Sequence, residues 1–329
     1  MKKITLHNYV LLLLVIVFAS CNNEENVMPK TEAENSNFEK IVIEEGIVAF
    51  ESMDDFSEFL KNANTKDEFL VEFEKQFSEF KSNFDAYEAI NESQVEEMLS
   101  NPEKYSAFAK IVEDNGEKYL EPIVDDVNIR SVVNESGIVK IGKKYYKFTY
   151  ERVFISEKLS DLENNTTGRL SNVETIEVIR GSGESLRMPN EDCRQDYTKR
   201  VKISNWPRIY RNINCRFRGR LWTVNIGSIY SGIGANSTHY VKTAGVWFRD
   251  KAPMLRLEYD VDYIQYFPTA GNIYLTDSFD SGEKSNVRRI DETFQFCVNA
   301  SCNFSFDSAD SYHSGRGDAG NSWGCNLNI

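Results

Sequence analysis

Several constellations in the 329-residue sequence carry side chains of the types that do chemistry. Gly320-Asn321-Ser322-Trp323-Gly324 matches the GxSxG pattern, in which a strained strand-to-helix turn exposes a nucleophilic serine. Its acid and histidine partners should follow in the chain, yet neither Asp, Glu nor His occurs after Gly324. The pattern therefore reads as a glycine-rich terminal loop. Beyond the N-terminal segment, histidine occurs only as His239 and His313. A Ser-His-Asp arrangement assembled by the fold would draw on Ser237, His239, Asp307, Asp310, Ser311 and His313. Glu258, Asp260 and Asp262 alternate with Tyr259, Val261 and Tyr263, so a strand would set the three carboxylates on one face. Such a row reads as a solvated face before an acid pair or a calcium site. No catalytic residue, cofactor or metal is assigned from these patterns.

The strongest non-structural signal is electrostatic. Between residues 194 and 220 lie Arg194, Lys199, Arg200, Lys202, Arg208, Arg211, Arg216, Arg218 and Arg220, against the single acid Asp196. Arg216, Arg218 and Arg220 alternate with Cys215, Phe217, Gly219 and Leu221, which on a strand puts three guanidinium groups on one face. Trp206 and Trp222 flank them, with Tyr197 and Tyr210 nearby. Paired guanidinium donors recognise carboxylate, sulfate and phosphate, while aromatic rings stack on sugars. The functional expectation is a contact face for an anionic glycan or other polymer, formed by Arg216, Arg218, Arg220, Trp206 and Trp222. The competing expectation pairs these arginines with acids elsewhere in the chain.

Five cysteines, Cys193, Cys215, Cys297, Cys302 and Cys325, lie in the C-terminal half, so internal pairing leaves one over. Spacing does not fix the connectivity; the pairing taken is Cys193–Cys215 and Cys302–Cys325, with Cys297 unpaired. A zinc site from Cys297, Cys302, His313 and Cys325 lacks the tight CxxC knuckle that pre-places two ligands. Arg316-Gly317-Asp318, an integrin-binding tripeptide, is read as incidental.

These groups must be positioned by two regions of different composition. From Phe38 the pattern is mainly helical, after a short hairpin over Ile41–Ile43 and Ile47–Phe50. Ser52 caps a helix with Asp54 and Asp55 in its first turn. A second helix is expected to start at Thr65, with Glu68 completing a capping box. Phe69, Phe73, Phe77, Phe80, Phe84 and Tyr87 recur at steps of three and four, one apolar stripe read as a core seam. Asn101-Pro102 breaks this helix before a short one from Glu103 to Val112. Two strands follow around Gly142-Lys143, and residues 161–169 form a polar joint. Beyond it, short runs of strand type alternate with Gly, Asn and Ser, the pattern of an antiparallel sandwich or barrel. The fold class read is α+β: a helical N-terminal region with a terminal hairpin over 38–160, then an antiparallel β-sandwich-like domain over 170–329.

The N-terminus is an address. Lys2 and Lys3 precede an apolar run from Tyr9 to Ala19, too short for the roughly 20 residues that span a bilayer. Phe18-Ala19-Ser20-Cys21 resembles a bacterial lipobox, with Phe18 where Leu is usual, which implies lipid attachment at Cys21 after removal of residues 1–20. Residues 21–37 then form a flexible polar tether reaching on the order of 20 Å. Its acids beside Cys21 resemble the surface-export signal of Bacteroidetes lipoproteins, and Asp307-Ser308-Ala309 resembles their O-glycosylation acceptor. Lipobox, acidic tether, aromatic helix, the pair Asn134-x-x-Gly137-x-Val139-x-Ile141-Gly142 and Gly219-Arg220-Leu221-Trp222 together resemble uncharacterised Bacteroidetes lipoproteins of unknown-function domains. That resemblance implies a lipid-anchored location at the outer membrane and supplies no ligand residues.

The net charge of −13 averages two unlike regions: residues 22–130 carry −18 and residues 131–329 carry +3. Nucleic acid is excluded as a partner on location and overall charge. The expectation is a membrane-anchored, non-catalytic binding protein for an anionic glycan or envelope polymer. Its alternatives are a secreted hydrolase acting through the β-rich half, or a structural subunit of an envelope complex.

Overall fold

The computed structural model describes residues 38–66, 68–163, 172–181, 192–204, 207–299, 302–317, 320 and 322–328. The signal segment, Cys21, the tether and Trp206 lie outside them. The chain begins with the expected hairpin of β1 (Ile41–Glu44) and β2 (Ile47–Phe50), turning through Glu45-Gly46. Ser52 accepts the backbone N–H of Asp55 and so caps α1 (Met53–Thr65). There follow α2 (Phe69–Gln76), α3 (Asn83–Glu88), α4 (Glu92–Ser100), a 3-10 turn (Pro102–Tyr105) and the hairpin of β3 (Ala109–Asp114) and β4 (Glu117–Pro122). Next come α5 (Val127–Val132), β5 (Ile138–Ile141), β6 (Lys144–Phe148), β7 (Arg152–Ser156), α6 (Leu159–Glu163), β8 (Glu174–Glu177) and β9 (Ile179–Arg180). The remainder is strand: β10 (Asp192–Ser204), β11 (Ile209–Ile226), β12 (Tyr230–Thr243), β13 (Val246–Arg249), β14 (Ala252–Phe267), β15 (Gly271–Asp280), β16 (Lys284–Val287), β17 (Arg289–Val298), β18 (Asn303–Arg316) and β19 (Ser322–Asn328).

The helical region is shorter and more broken than its periodicity suggests. Thr65 ends α1 instead of starting a helix, and Glu68 precedes α2 without a side-chain cap. The aromatic stripe does not ride on one helix. Ser82 and Asp85 form a capping box that starts α3 afresh, and the Asn83 N–H donates to the Val133 carbonyl at 2.7 Å. Those bonds hold the chain away from the axis of α2. Phe69 and Phe73 are buried against Phe59, so their part of the stripe is core. In place of the expected helix from Glu103 to Val112, Asn115 and Gly116 turn β3 into β4, both with positive φ. Asn-Gly suits such a two-residue hairpin turn because both positions need the left-handed region.

Among the described residues the strands form three sheets. The first runs β1-β2-β5-β6-β7-β8. The second runs β10-β11-β12-β13-β4-β3, with β17 also on β12 and β9 on β11. The third runs β15-β14-β18-β19, with β16 on β14. The second and third sheets bury a common apolar cluster, including Phe217, Ile233, Leu257, Val261, Phe294, Phe304 and Trp323. The C-terminal half is thus β-rich, as its composition indicates. Residues 164–169 of the polar joint lie outside the described residues. Lys40–Ile329 forms one contact unit, and β4 from the N-terminal half pairs in parallel with β13, Trp247 opposite Tyr119.

The disulfides join Cys193 to Cys325 and Cys297 to Cys302, and Cys215 is the buried free thiol. The expected Cys193–Cys215 and Cys302–Cys325 pairs are corrected on two grounds. Cys193 and Cys215 share β10 and β11 but Cys193 lies opposite Gly219, Cys215 opposite Tyr197. Cys193 instead meets β19 across the apolar cluster it shares with Cys325. Three of the four proposed zinc ligands are consumed by these bonds. Closing 132 residues of chain removes far more unfolded-state entropy than closing 5. Replacing Cys193 and Cys325 together by serine is expected to cost about 2–5 kcal/mol in chemical denaturation. The Cys297→Ser/Cys302→Ser chain should lose clearly less; equal losses would refute the loop-length account.

Candidate functional site

The structure buries the arginines at the centre of β11. Arg216 is 6% exposed and Arg218 4%. Arg216 clasps the Asp196 carboxylate with two bonds, of 2.5 and 2.7 Å, and also donates to Glu117 and the Tyr119 hydroxyl. Arg218 donates to Asp114 at 2.7 Å and lies 3.7 Å from Glu121. Arg220 is half-buried, and its charge acts on the buried carboxylate of Asp125. Trp222 is 2% exposed. An exposed contact face of Arg216, Arg218, Arg220 and Trp222 is therefore not what this strand presents. Alternation along β11 placed the three guanidinium groups on one face, and that face is covered.

The cover comes from the β3–β4 hairpin, whose first residues, Ala109–Val112, fall in the stretch expected to be helical. Asp114 on β3, at one end of the second sheet, also bonds Arg194 on β10, at the other end, at 2.7 Å. The sheet curls until its edges meet around the cations. Tyr119 and Trp247 floor the enclosure, with the Arg218 guanidinium 4.6 Å from the Tyr119 ring centre and Arg216 4.3 Å from that of Trp247. Burial pushes the Glu117 carboxyl up, but hydrogen bonds from Arg216 and Trp247, with the charges of Arg216 and Lys242, outweigh it and bring the group to about 2. The network is saturated with internal acids. The Asn115-Gly116 turn between alternating runs was the signal that could have revealed it.

His239 and His313 are both fully buried. His313 lies between Ser237, 2.8 Å from Nδ1, and Ser311, 2.9 Å from Nε2. Ser237 donates to the Arg256 carbonyl, so Nδ1–H donates to Ser237 and Nε2 accepts from Ser311. Gly219 makes room for this ring, since a Cβ there would sit 2.2 Å from its Cγ. Burial brings His313 down to about 3. The geometry gathers two of the serines named for a triad around a neutral imidazole, with both hydroxyls shut away from solvent. Ser322 of the GxSxG pattern begins the edge strand β19 and is not on a strand-to-helix turn. Asp262 accepts from Thr276 and Ser308 on the outer face of β14, and Glu258 pairs with Arg256.

His239 has a different part. Its Nδ1–H donates to the Asp250 carbonyl at 2.9 Å and its Nε2 accepts from Tyr197. Its backbone N–H donates to the Arg288 carbonyl, and its carbonyl accepts from the Asp250 N–H. One residue thus ties β12 to the segments carrying Arg249 and Arg288. Those arginines line a cleft of about 540 Å³ with Lys251, Arg289, Glu88 and Asp291, closed on the helical side by Phe84 of α3 and Val127 of α5. Four bases face two acids there. A larger groove of about 940 Å³, between β3 and the first sheet, has three bases against four acids and no such excess.

Behind the Phe84 wall lies Arg130 of α5, fully buried. Its guanidinium sits 5.3 Å from the Phe84 ring centre and 5.6 Å from that of Tyr87, and none of its three nitrogens finds a hydrogen-bond acceptor. Burial, and then the charges of Arg249 and Arg289, bring it down to about 10. Arg249, 3% exposed, has Glu88 and Glu121 at 3.9 and 3.7 Å, while its Nε remains without a hydrogen bond. The Nε atoms of Arg288 and Arg289 are likewise unbonded. Sequence reading missed all four, because they are scattered from 130 to 289 and no local cluster announces them.

Fold and cleft together define a β-rich protein with a cation-lined depression at the seam between its helices and its second sheet. No protein-family model and no curated protein matches the chain. Among solved structures it is similar to a DUF4848 family protein from Bacteroides thetaiotaomicron. Identity is 14%, over 88% of this chain and 100% of that one, and the TM-score is 0.26.

Two outcomes check the buried groups. Arg218→Met takes the buried cation from between Asp114 and Glu121, leaving them only Arg194 and Arg249, and should cost about 3–5 kcal/mol in denaturant unfolding. His313, lowered in the folded state, takes up its proton more readily when unfolded. Its contribution is complete above the unfolded value near 6.5 and is lost as pH falls toward about 3. Stability should therefore decline across that window by up to about 1.4 kcal/mol per pH unit from this group, and His313→Gln should flatten the decline. An unchanged slope in the variant would refute the assignment.

Proposed function

We propose that this chain is a membrane-anchored envelope protein that binds anionic groups of a glycan or other surface polymer, without catalysis, in the cleft of Arg249, Lys251, Arg288 and Arg289. The observation that carries the reading is Arg130: a fully buried guanidinium with no hydrogen-bond acceptor, beside Arg249, Arg288 and Arg289, each with an unbonded donor. An uncompensated buried charge costs several kcal/mol, and a carboxylate or sulfate seated in the cleft offsets that cost. Guanidinium pairs suit planar carboxylate and sulfate oxygens. Phe84 offers a ring for the apolar face of a sugar. The lipobox-like Phe18-Ala19-Ser20-Cys21 supports acyl attachment at Cys21, and an outer-membrane location follows from that attachment.

The test is a thermal-shift and calorimetric titration of the protein with oligogalacturonate, a sulfated heparin oligosaccharide and neutral galacto-oligosaccharide. At ~100 times Kd an acidic ligand stabilises by about 2.7 kcal/mol, a shift of several degrees. Acidic probes should raise Tm and the neutral one should not. Arg288→Gln with Lys251→Gln, both at solvent-reached positions, should weaken binding at least about tenfold. Added salt should weaken it as well. No shift with either acidic probe, or full affinity in the double variant, would overturn the reading.

A further inference from the structure

The hairpin where β10 turns into β11 projects beyond the core. From Arg200 to Asn212 its described residues are exposed or half-exposed on both faces, whereas Cys215 to Gly219 are fully covered. Ile203 is 60% exposed, Ile209 45% and Tyr210 43%. Hairpin tips are ordinarily polar, because an apolar side chain held in water gains nothing from folding. Among them stand Arg200, Lys202, Arg208 and Arg211, and no acidic residue occurs from Tyr197 to Asn212. Pairing sets Arg200 and Lys202 on the face of Tyr210, with the Arg200 guanidinium 4.2 Å from that ring. Arg211 shares the other face with Val201 and pairs with Glu92 at 2.9 Å. Both faces therefore carry cations beside apolar groups.

We infer that this hairpin docks on an anionic lipid surface. A groove-binding partner would require one apolar face and one solvated face; a hairpin that is amphipathic on both faces fits a layered medium that is alike on every side of the hairpin and is entered tip first. Ile203, Ile209 and Tyr210 enter the headgroup boundary, and the four cations remain at the depth of lipid phosphates. Lys and Arg side chains reach that level with their aliphatic stems buried, and tyrosine favours the same layer. Each such cation near an anionic leaflet contributes roughly a factor of five in affinity.

The experiment uses the full chain with Cys21→Ser, which removes the acyl attachment point, in co-sedimentation with phosphatidylglycerol-phosphatidylcholine vesicles and with pure phosphatidylcholine vesicles. Binding to the anionic vesicles alone is expected. Lys202→Glu with Arg208→Glu should lower it at least about tenfold. Ile203→Asn with Ile209→Asn should also lower it, while both double variants keep the parent melting temperature. Arg288→Gln, which bears on the cleft, should leave vesicle binding unchanged, so the two proposals fail separately. No binding to anionic vesicles overturns the inference. So does full binding by either hairpin variant, or equal binding to neutral vesicles.

Discussion

Burying guanidinium groups on the inner face of a curled sheet is the constraint on which the rest of this molecule depends. Arg216 and Arg218 are almost without solvent, so their acids must come from the chain itself, and β10 supplies Asp196. Asp114, Glu117 and Glu121 lie about a hundred positions upstream. They reach the arginines because β4 joins β13 in parallel, which makes the N-terminal hairpin a part of the C-terminal sheet. Removing one partner of such a pair leaves a bare buried charge, whereas forming the whole set adds little net stability. The network therefore acts chiefly on specificity: alternative placements of the hairpin strand several ions at once.

That docking creates the seam where the cleft lies. With β3–β4 fixed to the sheet, α3 and α5 are held beside β13 and β17. The α5 cap by Asp126 then becomes part of the same polar chain, through Tyr230 and through Thr293 at 3.1 Å. Asn64 at the end of α1 donates to the Thr293 carbonyl and accepts from Asn128. Arg130 follows in the next turn of α5, its three nitrogens without a hydrogen-bond acceptor. The two arginine groups share a residue type and differ in what they meet: those on β11 are internally neutralised, and those around the cleft retain an excess of positive charge.

Local chemistry was legible in the sequence wherever the deciding interaction is itself local. The β1–β2 hairpin, the Ser52 cap and the strands on either side of Gly142 form where their residues indicate. Alternation correctly put Arg216, Arg218 and Arg220 on one face of a strand, but it carries no information about what covers that face. The aromatic steps from Phe69 to Tyr87 continue unbroken across residues 77–82, where the capping box and the bond to Val133 end one helix and start another. Cysteine pairing failed for the same reason: Cys193 and Cys325 meet across a shared core, and their separation of 132 residues leaves no trace in spacing.

The charge asymmetry between the halves takes on a definite meaning in this light. The acidic helical half is not a repulsive tether for a basic binding half. Asp114, Glu117 and Glu121 are spent inside the β-rich half, Asp125 pairs with Arg180, and Glu92 reaches Arg211 at the hairpin. Among the described residues, cations remain in excess at two places: the cleft backed by Arg130, and the exposed β10–β11 hairpin. Net charge alone would have spread that potential over the whole half. The ion pairs concentrate it, because Asp114, Glu117 and Glu121 cancel the arginines of β11, while the single acids Glu88 and Glu92 leave bases in excess at the cleft and the hairpin.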